Sequence, residues 1–248
     1  MITIKSQSEL SLMREAGRLL GDTLDQLEAV VRPGVTTGEI DELADRLIRK
    51  RRAVPGFLGY NGFPKSLCIS INEEVVHGIP GKREIQDGDL VSLDCGLVLD
   101  GLWADSGRTV MVGEVSDEAK RLVQVTKESL QRGIEQAVPG NRIGDISAAV
   151  QQHVEANGFS VVRNFVGHGI GRNMHEEPQV PNFGVAGAGP LLRAGYALAI
   201  EPMVNAGGHE VQMLPDRWTI ITADGRLSAY FEHTVLITDD GPVVATAA

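Results

Sequence analysis

From Ser6 onward the chain places apolar residues at helical spacing. Leu10, Met13, Ala16, Leu20, Leu24 and Leu27 recur three or four apart, which gives one face of a helix an apolar stripe. Ser6 and Glu9 form a capping box in front of it, hydroxyl and carboxylate each satisfying an orphan N–H. Pro33-Gly34 stops the helix. Thr36 and Glu39 repeat the box, and Ile40, Leu43, Leu47 and Ile48 mark a second amphipathic helix that ends near Arg49-Lys50-Arg51-Arg52. Cations there suit the negative end of the helix dipole, with phosphate binding as the alternative. The same grammar returns later. Residues 117 to 138 predict a helix that stops at Pro139-Gly140, and residues 144 to 156 predict another.

Residues 33–40 match residues 139–146 at an offset of 106, and residues 88–94 resemble residues 195–201 at an offset of 107. In the second pair a glycine opens a short apolar strand that runs into a carboxylate, Asp94 or Glu201. Two matches at nearly one offset predict a duplicated α/β unit. If the halves pack about a pseudo-twofold axis, Asp94 and Glu201 become equivalent positions.

Those carboxylates carry the candidate chemistry. Runs such as residues 90–93 and 197–200 read as buried strands. An ionised acid there is costly unless it reaches water, pairs with a cation or binds metal. Asp100-Gly101 is a two-residue turn signal between Asp94 and Asp105. In a two-residue hairpin Asp105 lies opposite Gly96, which shares a face with Asp94, so the two acids become diagonal neighbours. A three-residue loop would reverse that parity. Residues 227–236 read as a strand whose alternation sends Glu232 and His233 to opposite faces. Of the six histidines, His168 stands between Gly167 and Gly169, His175 follows seven residues on, and His77 precedes Gly78. His153 is expected on a solvated helix face, His209 in a loop, and His233 as an ordinary half-buried residue.

Composition narrows the field. The 248 residues are 42% hydrophobic and 23% charged, as in soluble globular proteins. A formal net charge of -10 argues against a general nucleic-acid or anionic-membrane binder. Cys68 and Cys95 are too few for a disulfide framework and suit a reducing compartment. No run is long and apolar enough to span a membrane. The start from Met1 lacks a leader pattern, and the first helix begins too soon for a further targeting domain. A cytoplasmic monomer is expected. The chain has no G-x-S-x-G elbow, H-E-x-x-H helix, P-loop or C-x-x-C, so serine hydrolase, nucleotide and thiol-redox chemistry fall behind.

With these residues assembled, the sequence resembles the type I methionine aminopeptidases over nearly its whole length. The resemblance rests on residues 58–73, Val76-His77-Gly78-Ile79-Pro80, Asp94 and Asp105 eleven apart, residues 167–172, His175-Glu176-Glu177-Pro178, Ile200-Glu201-Pro202 and Glu232-His233-Thr234. It implies an α/β (α+β) pita-bread fold with two pseudo-symmetric halves around a central, antiparallel-rich sheet. Residues 1–248 would form a single catalytic domain with halves of about 1–115 and 116–248. By the same resemblance Asp94, Asp105, His168, Glu201 and Glu232 are ligands of two divalent ions, with Asp105 and Glu232 bridging. Four carboxylates would then balance two dications, with Mn, Fe(II), Co or Zn compatible with the donors. Glu201 would shuttle a proton to the leaving amine, His175 would bond the substrate or tetrahedral intermediate, and His77 the scissile nitrogen. Tyr60, Phe63, Cys68, Met174 and Trp218 would line the methionine pocket, with Phe57 near. Phe57, Phe63 and Met174 depart from the commoner residues at these places, which puts pocket shape in question. Partners implied are the N-terminal segments of nascent polypeptides, with transient ribosome contact.

Two rivals stand beside this reading. A prolidase relative would usually carry an extra N-terminal domain. A metal-free binding protein on the same scaffold would typically have lost ligands, whereas all five are present here.

Overall fold

The computed structural model describes residues 2–247, so Met1 and the leader reading that begins there fall outside them in part. Among the described residues four α-helices cover the sheet: α1 (Gln7–Glu28), α2 (Thr37–Lys50), α3 (Asp117–Glu135) and α4 (Ile143–Ala156). The capping boxes at Ser6/Glu9 and Thr36/Glu39 both form. Arg49 bonds Asp45 and Arg51 bonds Asp22, each at 2.8 Å, so half of the basic run is engaged by carboxylates at the end of α2. α3 stops at Glu135, short of the expected residue 138, because the chain turns through hydrogen bonds from Gln136 and Ala137 to Gly133 and Ile134. His153 is partly covered rather than solvated, its Nε2 lying 3.0 Å from Glu128 on α3.

The central sheet has nine strands, all paired antiparallel. Its spine runs Val54–Pro55, Leu90–Leu99, Leu102–Met111, Glu232–Thr238, Ala197–Ile200, Gly167–Gly169, Glu176–Val180. Cys68–Ile71 also pairs with Leu90–Leu99, and Gly241–Val244 with Glu232–Thr238. Leu90–Leu99 and Leu102–Met111 form the expected hairpin. Asp100 and Gly101 take φ of 46° and 82°, as a two-residue turn of the primed kind demands. Gly96 pairs with Asp105 and Asp94 with Gly107, so the parity argument holds.

Alternation then sorts the side chains. Val91, Leu93, Cys95 and Leu97 face Leu20, Leu24, Leu27, Ile40 and Ile48 of the first helix pair. Leu198, Ile200, Val235 and Ile237 pack likewise with Leu130, Ile134 and Ile146 of the second. Each such side chain, fully buried, stabilises the fold by roughly 1.5–3 kcal/mol. Asp94, Asp105 and Glu232 belong to the opposite parity and turn away from the helices.

The repeat is visible in hydrogen bonds. Gly34 donates to Ile85 and Gly38 to Gly81, while Gly140 donates to Leu192 and Gly144 to Ala188. Isolated bridges Thr36↔Glu84 and Arg142↔Leu191 obey the same spacing. Where the halves meet, Glu232↔Gly107 and His233↔Ser106 join the two systems of strands.

Two local expectations are corrected. Asp94 does not end its strand but sits inside it, since backbone pairing continues to Leu99. Residues 227–236 are two strands rather than one. Ser228–Tyr230 pairs with Met203–Asn205 in a separate three-stranded sheet, and Glu232–Thr238 joins the central one, with the switch at Phe231.

Candidate active site

The acids from both halves converge at the seam. Asp105, His168 and Glu232 offer ligand atoms that all lie within 4.8 Å of one another. Glu201 follows the strand Ala197–Ile200, and its Oε1 is 3.5 Å from His168 Nε2. Asp94 is close enough to the others that the charge of Glu232 raises its pKa and its own charge helps raise that of Asp105. Backbone geometry fixes this grouping. Thr234 Oγ1 accepts from Asp105 N–H at 2.9 Å and donates to Asp105 O at 2.7 Å, and Ser106 Oγ donates to Glu232 O at 2.8 Å. His168 Nδ1 lies 2.9 Å from the carbonyl of Gly169. A carbonyl only accepts, so Nδ1 carries the proton and Nε2 presents a lone pair towards Glu201.

The electrostatics are unbalanced. Burial, then the charge of Glu232, pushes Asp94 well above the usual carboxylate range; Asp105 and Glu201 rise for the same reasons. Burial raises Glu232 to about 7, although Tyr230 donates to its Oε2 at 2.5 Å. Asp94 Oδ1 and Asp105 Oδ1 are buried with no hydrogen-bond partner. Among the described residues no lysine or arginine pairs with any of the four; the contact of His168 with Glu201 is between a neutral ring and a carboxylate. Orphaned carboxylate oxygens this deep call for positive charge. Four oxygen donors with one imidazole lone pair fit divalent cations.

Beside the cluster lies a cavity of about 200 Å³. Asp94, Glu201, His77 and His175 are on its wall, together with Tyr60, Phe63, Cys68, Met174 and Trp218. Phe57, expected nearby, also lines it. The Phe63 and Trp218 rings meet edge to face at 5.1 Å, and His77 packs against Phe165 with centroids 5.6 Å apart. His175 Nδ1 is 2.7 Å from the Tyr60 hydroxyl, and its ring is 4.3 Å from that of His168. Burial pushes His77 and His168 down to about 4 and lowers His175, so all three are neutral at pH 7.

Every site residue expected from the sequence is thus at the cavity or in the cluster behind it. His209 and His153 are elsewhere, and His233 faces the other side of the sheet, bonded to Thr246 Oγ1 at 2.9 Å. Sequence reading missed Tyr230, Phe165 and Met203, which complete the wall with Asn61, Val76 and Val166. Tyr230 had a signal: in a single strand over residues 227–236 it would share a face with Glu232, and despite the change of sheet at Phe231 its hydroxyl does reach that carboxylate. Its ring fills the space above Gly107, where a Cβ would lie 2.1 Å from it.

Comparison with known proteins agrees with this geometry. The chain is 56% identical over 246 residues to the methionine aminopeptidase of Clostridium perfringens, covering 99% of each. It superposes on the crystal structure of methionine aminopeptidase from Rickettsia prowazekii with a TM-score of 0.98 at 42% identity, covering 99% of this chain and 100% of that one. The Xaa-Pro dipeptidase from Bacillus anthracis shares the fold at TM-score 0.78 and 23% identity, but this chain spans only 62% of its length. Residues 11–239 match the model of metallopeptidase family M24. The chain belongs to that family.

Proposed function

We propose that this protein is a methionine aminopeptidase, removing the N-terminal methionine of peptides and nascent proteins whose second residue is small. The observation that carries the reading is the junction of an aromatic- and sulfur-lined cavity with a buried, uncompensated cluster of four carboxylates and one neutral histidine. The names of its close relatives support it.

Asp94, Asp105, His168, Glu201 and Glu232 would hold two divalent ions. Such ions supply Lewis acidity and, near neutral pH, an ionised water as nucleophile. The remaining work falls to the chain. His175, neutral and tied to Tyr60 through Nδ1, has Nε2 left to hydrogen-bond the substrate's carbonyl oxygen. His77 holds the scissile nitrogen from the cavity wall. Glu201, on the wall and in the cluster, takes the proton of the nucleophile and passes it to the leaving amine. Aromatic rings with the Met174 and Cys68 sulfurs suit a thioether side chain. Residues 1–248 act as one catalytic domain, monomeric and cytoplasmic, with transient ribosome contact. No helix among the described residues is long and apolar enough to cross a membrane.

The test is release of methionine from Met-Gly and Met-Leu peptides by protein loaded with Mn, Fe(II) or Co. Release that needs metal and favours Met-Gly is expected. Comparable rates on both peptides would remove the second-residue rule. Failure with all three metals would leave a binding protein on this scaffold.

A further inference from the structure

The turn that carries His175 is held by a part of the chain about 170 residues away. Glu176 Oε2 accepts from Thr3 Oγ1 at 2.6 Å and from Lys5 Nζ at 2.9 Å, while Oε1 accepts from Asn173 N–H at 3.1 Å. Lys5 Nζ also reaches Thr3 Oγ1 at 2.8 Å. The ion pair is buried, with side chains only 5% and 9% exposed. Lys5 is buried, Thr3 is exposed but aims its hydroxyl at Glu176, and Ile4 between them is 62% exposed. Lys5 N–H donates to Gly195 O at 2.8 Å, which ties this strap to the loop before the strand Ala197–Ile200. Gly171 leaves the clamp its space, since a Cβ there would lie 2.6 Å from the Lys5 side chain and 2.8 Å from Glu176 Oε1.

A buried ion pair is a poor way to gain stability, because desolvation offsets most of the attraction. Its value lies in where it fixes the backbone. Glu176 is the residue after His175 and two after Met174, both on the cavity wall. The His175 ring is held separately, by Tyr60.

We propose that Thr3, Lys5 and Glu176 form a positioning clamp which sets His175 and Met174 for the reaction. The inference rests on the peptidase reading above. It predicts that residues 3–5, which do not line the cavity, govern turnover.

The test uses the full chain as Lys5→Met, Glu176→Gln and the double variant, with melting temperature, Mn binding by calorimetry, kcat and KM on Met-Gly, and the imidazole NMR signals of His175. Lys5→Met leaves a buried carboxylate unpaired and should lower both melting temperature and kcat, the latter roughly ten- to a hundredfold. The double variant removes both charges. Melting temperature should then recover and Mn binding stay at the wild-type value, while kcat remains low and the His175 signals stay shifted or broadened. Recovery of kcat together with melting temperature, or unchanged His175 signals, would overturn the clamp. If Lys5→Met does not fold, Thr3→Val keeps the ion pair and should give a smaller loss in the same direction; no loss would equally overturn it. If the wild type itself releases no methionine, the peptidase reading fails, while the His175 signals still decide the clamp.

Discussion

The two halves bring their acids to the seam differently. In the first, Asp94 and Asp105 come from one uninterrupted hairpin closed by Asp100-Gly101, and each leaves a buried oxygen without a partner. In the second, Glu201 and Glu232 come from strands that neighbour one another in the sheet but are separated by a long connection. Both of these acids have company: Tyr230 donates to Glu232, and His168 lies beside Glu201. That connection also supplies Met203, Trp218 and Tyr230 to the cavity wall. A repeated scaffold therefore builds an asymmetric centre. One half contributes two carboxylates that each leave an oxygen unpartnered, and the other contributes one carboxylate bonded by a tyrosine and one beside a neutral histidine, along with part of the cavity wall.

The contrast can be broken at several points. Replacing a bare acid should hurt most. Asp105→Asn keeps the shape and removes the charge, so metal-dependent hydrolysis should fall by at least the ~10²–10³ typical of losing one electrostatic stabiliser. Activity within a few-fold of wild type would show that Asp105 is not needed to hold cation.

Next comes the pH response of metal-free protein. A carboxyl whose folded pKa lies above its unfolded value favours the folded state at low pH, and that advantage is lost as pH rises through the folded value. For Glu232 the window runs from 4.5 to about 7. The loss is on the order of 3 kcal/mol for this group alone. Chelated protein should therefore melt roughly 6–12 °C lower at pH 8 than at pH 5, with added Mn restoring it at pH 8. A flat profile, or one rising with pH, would contradict a buried, uncompensated cluster; Asp105→Asn combined with Glu232→Gln should make it shallower, leaving the part owed to Asp94 and Glu201.

Smaller still is the effect of stripping the company from Glu232. Tyr230→Phe retains the ring over Gly107 and loses only the donor. Mn affinity measured by calorimetry should change ten- to a hundredfold, as for other hydrogen bonds to ligands. No change would mean that the tyrosine acts on the cavity alone. The smallest effect probes the scaffold. Thr36 caps α2 through its side chain, whereas Arg142 at the matching place on α4 makes no side-chain cap. Thr36→Ala should cost about 1 kcal/mol in chemical denaturation, and Arg142→Ala clearly less.

Much of this was readable because it depends on local rules. Capping boxes, the parity of a two-residue turn and an offset between similar segments survive translation into three dimensions with little help from tertiary context. They were enough to put Asp94 beside Asp105 and to relate Asp94 to Glu201. Where the chain changes sheets, local rules fail. Alternation continues in the letters from Leu227 to Leu236, yet backbone pairing switches at Phe231, and nothing in the residue types marks that point. The apolar run alone read Asp94 as a strand end, but the hairpin about Asp100-Gly101 already carried the strand past it. The convergence of His168 and Glu201 came from resemblance, not spacing. The Lys5–Glu176 pair had no signal in the sequence, since contacts so far apart leave no periodicity to follow.

The seam offers a last lesson. Strands that neighbour one another there are joined by two residues in one half and by a whole excursion of small sheets in the other. The frame that aligns the acids is closed by the pairings Glu232↔Gly107 and His233↔Ile200, which lie outside that excursion. Nature can thus swap the upholstery around the reactive centre, broadening or tightening the seat for a guest side chain, without moving the joinery beneath.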